Sequence, residues 1–149
     1  MPGIVVGVDG SRHSQASLEW AMKEAALRKV PLTVLAVHPV ATSGWTTAGT
    51  HYPADQADEE RALAAAQEGA DKAASEMSGE RPPSVTVRAV SGVAAEELIN
   101  ASSDADMLVV GSRGSGGFSR LLMGSVSSQV AYHATCPVVI IPAVPDKQD

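Results

Sequence analysis

The chain has 149 residues, 44% of them hydrophobic, 19% charged and 3% aromatic, with a formal net charge of −6. That composition excludes a disordered polyelectrolyte and points to one domain, residues 1–149, around an aliphatic core. The negative charge argues against nucleic acid or an anionic membrane as the main partner, and no apolar stretch approaches the ~18 residues of a membrane span. One cysteine, Cys136, allows no internal disulfide; with an N-terminus that lacks a basic region, this reads as a cytoplasmic protein.

The first element is "IVVGV" (4–8), a β-branched run of strand length. It leads into "DGS", where Asp9 suits a turn and equally a ligand-facing carboxylate at a strand end. Residues 14–27 place Leu18, Ala21, Met22 and Ala25 on one helical face, with Ser14 as the N-cap. "LTVLAV" (32–37) is the second strand, and His38 follows it where a base could approach. Residues 39–53 form the longest irregular stretch, either functional or loose, with Trp45 either packed over a site or on the surface.

The second helix, 58–77, aligns Ala62, Ala66, Ala70, Ala73 and Met77. Its acidic run "DEER" (58–61) reads as a first turn, where acids favour the helix dipole. Gly69 inside it weakens the helix by up to ~1 kcal/mol. "VTVRAV" (85–90) alternates enough to suggest a sheet edge with one wet face. A short helix follows at 93–101, then "MLVVG" (107–111), a helix at 125–132 and "VVII" (138–141). Strands alternating with helices imply a doubly wound, Rossmann-like α/β fold: a five-stranded parallel sheet, order 3-2-1-4-5, with helices on both faces. Ligands in such sheets sit beyond the C-terminal strand ends where the order reverses, here between strands 1 and 4.

The fourth strand opens into "GSRGSGGFSRLLMGS" (111–125), rich in glycine, with two arginines and no acid. Bare backbone of this kind can form an anion nest, and Gly124-Ser125 opens a helix whose first amides favour an anion. The loop has no lysine, which excludes a Walker A motif. Gly114-Ser115-Gly116 begins a dinucleotide fingerprint, but Ser119 takes the third glycine position and the loop follows the wrong strand.

The spacing G-x2-G-x9-G-[ST], here Gly111, Gly114, Gly124 and Ser125, together with "VVGVDGS" and "CPVVIIP", closely resembles the universal stress protein family in its ATP-binding branch. The resemblance covers nearly the whole chain. It implies an α/β homodimer that binds ATP, with Mg²⁺, at the switch point. Gly7 and Val8 would line the nucleoside pocket, and Asp9 would reach the ribose or the metal. Val37 would touch adenine. Gly111 and Gly114 would border the ribose and phosphate, and Gly124, Ser125, Val126 and Ser127 would hold phosphates by amides and hydroxyls. Arg113 adds charge or is a solvated loop residue; Arg120 reads as solvated or at a subunit surface. The resemblance also implies pairing of subunits through 138–141, whose apolar edge is otherwise a liability.

Three functions compete: a nucleotide-binding regulatory protein, an enzyme acting on ATP, and a scaffold with a vestigial site. The intact motif disfavours the scaffold. The lack of a loop lysine and of a second carboxylate beside Asp9 disfavours the enzyme, limiting it to slow ATP hydrolysis. Cyclic AMP, which some members of the family prefer, remains open as an alternative ligand. Cys136 reads as a small apolar group, and the four histidines show no metal-ligand spacing.

Overall fold

The computed structural model describes residues 3–39, 53–113 and 124–143. Five strands and four helices alternate along them: β1 (Ile4–Val8), α1 (Arg12–Arg28), β2 (Leu32–Pro39), α2 (Pro53–Ser75), β3 (Val85–Gly92), α3 (Ala94–Ser102), β4 (Met107–Gly111), α4 (Ser125–His133) and β5 (Val138–Ile141). All pairings are parallel, and the order is β3-β2-β1-β4-β5. The doubly wound sheet expected from the sequence is the observed one.

Alternation along the strands divides the interior in two. Ile4, Val6, Leu32, Val34 and Val109 face α1 and α2, packing on Leu18, Met22, Ala66, Ala70 and Ala73. Leu35, Leu108 and Val110 face α3 and α4, packing on Leu98 and Val130. The central strands are buried on both sides, which accounts for their unbroken apolar runs. β3 lies at the edge, with Thr86 and Arg88 exposed and Val87 and Ala89 half-buried, the wet face its alternation suggests.

Several boundaries differ from the sequence reading. The N-cap of α1 is Ser11, not Ser14: the Ser11 side chain accepts from Ser14 N at 3.2 Å. Ser14 is buried in the first turn, and its hydroxyl donates back to Ser11 O. Helix α2 begins at Pro53, so "DEER" is not its first turn. Those acids act laterally instead: Asp58 pairs with Arg61 at 2.5 Å, and Glu59 accepts from Ser91 Oγ at 3.2 Å. Proline suits a first helical position, where its missing N–H has no intrahelical partner to lose. Gly114, Arg120, Trp45 and His51 lie outside the described residues.

Candidate functional site

The β1–β2 ladder runs from Ile4↔Leu32 to Val8↔Ala36, but the β1–β4 register stops at Val6↔Val109. The two strands therefore part at their C-terminal ends, at the point where the strand order reverses. A cavity of about 650 Å³ opens there. Gly7, Val8, Asp9, Val37, Gly111, Arg113, Gly124, Ser125, Val126 and Ser127 all line it, so every expected site residue within the described chain is brought together.

Three of the expected glycines are explained first by the protein around them. A Cβ on Gly7 would sit 2.9 Å from Leu98 Cδ2, one on Gly111 3.2 Å from Ser17 Oγ, and one on Gly124 3.3 Å from Ser112 O. They let α3, α1 and the loop base close around the strand ends, which shapes the cavity.

The start of α4 is the site's electrostatic feature. Its N-cap is Gly124, which has no side chain with which to cap. Ser128 N donates to Gly124 O at 3.0 Å as the first helical bond, leaving the amides of Ser125, Val126 and Ser127 outside the ladder. Helix α1 makes the contrast, since a serine caps it. Amides at a helix N-terminus, here beside Arg113, favour an anion.

Two expected donors are engaged internally. Gly124 N donates to Ser112 O at 2.6 Å. Ser127 is buried, and its hydroxyl lies 3.1 Å from Gly124 O and 3.4 Å from Ser112 O, as a donor. Ser127 thus offers an anion its amide, while its hydroxyl holds the helix start against the end of β4. Ser112 N in turn donates to Ile141 O at 2.8 Å, tying this neck to β5.

Asp9 is exposed at the cavity mouth, and its Oδ1 accepts from Ser11 N at 2.9 Å. This is the turn role foreseen for it, with Gly10 at φ +85° completing the turn. Asp9 also lines the cavity, and turn and ligand roles are compatible. Among the described residues no cluster of three His, Cys, Asp or Glu could hold a metal by protein ligands alone. Asp9 with phosphate oxygens and water fits Mg²⁺, which keeps several waters.

Sequence reasoning missed the side of the cavity built from α1 and α2, where Gln15, Leu18, Ala62, Ala66 and Gly69 line it. The signal available was Gly69, a glycine within a helix. His38 also lines the cavity, with Nε2 3.7 Å from Asp58 Oδ2. Cys136 is half-buried between α4 and β5; burial foremost, and then the charge of Asp106, push its thiol up, against any thiolate role.

The universal stress protein family profile matches residues 2–142. The chain belongs to the universal stress protein family. Universal stress protein Rv2005c of Mycobacterium tuberculosis is 39% identical over 155 aligned residues, covering 98% of this chain and 51% of the relative. The chain thus spans about half the length of the curated relatives it matches. Among solved structures, a universal stress protein in complex with cAMP is 25% identical with a TM-score of 0.66, over 95% of this chain and 96% of that one. The universal stress protein of Archaeoglobus fulgidus in complex with dAMP is 26% identical with a TM-score of 0.61, over 95% and 98%. Among the described residues, no helix of this family member is long and apolar enough to cross a membrane.

Proposed function

We propose that this universal stress protein binds an adenine nucleotide, ATP with Mg²⁺, at the switch-point cavity and acts as a regulatory or stress-response protein. The observation that carries this is the glycine-capped start of α4, with three amides outside the helix ladder beside Arg113. Phosphates accept from the amides of Ser125, Val126 and Ser127, each charge-assisted bond contributing about 1.5–3 kcal/mol. Arg113 adds charge. Gly114, outside the described residues, borders the phosphates in this reading. Gly7, Val8 and Val37 line the nucleoside, and Gly111 borders the ribose. Asp9 reaches the ribose or the magnesium ion.

The relatives solved with cAMP and dAMP support an adenine ligand. The cAMP complex also favours a second reading, cyclic AMP as the physiological ligand. Three amides and a guanidinium can serve either a triphosphate or a cyclic phosphate. Calorimetric titration separates them. Micromolar ATP binding that tightens with Mg²⁺ and exceeds cyclic AMP affinity is expected; stronger cyclic AMP binding selects the second reading.

Asp9 gives a further prediction. Asp9→Ala should weaken ATP binding about tenfold in Mg²⁺ and remove the difference between titrations with and without the ion. Unchanged titrations would restrict Asp9 to the turn.

We also propose that residues 1–149 act as one domain and form a homodimer through β5, which lies at the sheet edge with Val138, Val139, Ile140 and Ile141 all half-buried. Antiparallel pairing of two such edges would complete their hydrogen bonds and cover the apolar side chains. Light scattering at micromolar concentration should give about twice 15.3 kDa. The monomer mass would exclude the pairing.

A further inference from the structure

The cavity has a second end, away from the start of α4. Val8 and Ala36, paired across the β1–β2 ladder, form its floor. Leu18 of α1 and Ala62, Ala66 and Gly69 of α2 form its walls. These surfaces suit the faces of a flat ring and repel a charged group, which would lose its hydrogen bonds there. With the phosphates on α4 and Arg113, a nucleotide's base falls at this end.

One polar side chain enters the wall from α1. Gln15 is half-buried, and its Nε2 donates to Gly69 O at 3.1 Å. A backbone carbonyl only accepts, so this bond itself decides which end of the carboxamide is nitrogen. The opposite end, Oε1, is thereby held in a fixed orientation. No N–H or O–H of the described residues donates to it. A Cβ on residue 69 would lie 2.8 Å from Oε1. That contact accounts for a glycine within α2, where alanine would favour the helix. Gln15 lines the cavity, and its bond to the Gly69 carbonyl fixes the carboxamide against the apolar wall, with Oε1 beside residue 69.

We propose that Gln15 is a specificity-determining residue: Oε1 accepts a hydrogen bond from the exocyclic 6-amino group of a bound purine, so the cavity selects 6-amino over 6-oxo purine nucleotides. The proposal rests on the adenine-nucleotide reading above and names the side chain that reads the base. A 6-oxo purine sets a carbonyl oxygen where the amino group was, and two acceptors then face each other without a proton. An acceptor left unpaired in a slot of this kind costs affinity, which is how such sites discriminate.

ATP and ITP differ at this position and carry the same ribose and phosphates, so their calorimetric affinities test the proposal. The unsubstituted protein should prefer ATP by about tenfold, the scale of one hydrogen bond. Gln15→Leu fills the same space without an acceptor; it should weaken ATP, remove the opposed acceptors that disfavour ITP and bring the ratio close to one. Gly69→Ala keeps the glutamine but displaces Oε1; it should lose the preference equally, without lowering the melting temperature. A preference that survives either folded variant overturns the proposal while leaving nucleotide binding intact, and so does equal binding of ATP and ITP by the unsubstituted protein. Binding of neither nucleotide by that protein overturns the nucleotide reading and the proposal with it.

Discussion

Gly124→Val should lower ATP affinity by at least about a hundredfold and leave the fold in place. The backbone at Gly124, φ −79° and ψ 173°, is open to any residue, so conformation raises no objection to valine. Space does. The new Cβ would sit 3.3 Å from Ser112 O and 3.9 Å from Arg113 Cα, and the methyls beyond it must turn toward the cavity or force the loop base apart. Either outcome obstructs the amides of Ser125 and Val126. Losing two charge-assisted bonds at about 1.5–3 kcal/mol each gives roughly the hundredfold stated, or more. Calorimetry measures the loss, and circular dichroism checks the fold. Full affinity in a folded variant would mean that phosphates do not approach the helix start.

Leu108→Ala should cost about 2–5 kcal/mol of stability, the range for a fully buried leucine whose cavity collapses only in part. Leu108 is completely buried in β4, between β1 and β5, and packs with Leu98, Val110 and Val130 on the face covered by α3 and α4. Urea unfolding should show a lowered midpoint with little change in slope. Nucleotide should restore part of the loss, about 2.7 kcal/mol at a hundred times its dissociation constant, because only the folded state holds the assembled site. A cost below about 1 kcal/mol would contradict the packing described for this face.

The fold was legible because its strands are buried on two faces and carry runs of β-branched residues. The bounds of β1, β4 and β5 coincide with "IVVGV", "MLVVG" and "VVII". β2 and β3 run two residues beyond their apolar stretches. The added rungs, His38↔Ser91 and Pro39↔Gly92, are held by the ladder between the two strands, which hydropathy does not register. The cap of α1 was misplaced because three serines, Ser11, Ser14 and Ser17, stand at helical spacing. Only the side-chain bond from Ser11 to Ser14 N distinguishes the cap.

For the site, the strand order and the family resemblance together pointed to Asp9, Gly111, Arg113, Gly124 and Ser125, which lie at strand ends or a helix start and line one cavity. Internal hydrogen bonding was not legible. The Ser127 hydroxyl and the Gly124 amide read as donors to a ligand, yet both turn to backbone carbonyls. Gln15 was not legible either, because its meaning depends on a carbonyl 54 residues away.

The central claim is that nucleotide phosphates rest on the start of α4. The most direct measurement is a titration of the ¹⁵N-labelled protein with ATP and Mg²⁺, followed by amide resonances. The account predicts that the amides of Ser125, Val126 and Ser127 shift most, with Asp9 and Arg113 following the same binding curve. Saturable binding that leaves those three amides unmoved, or no binding at millimolar ATP, would contradict it.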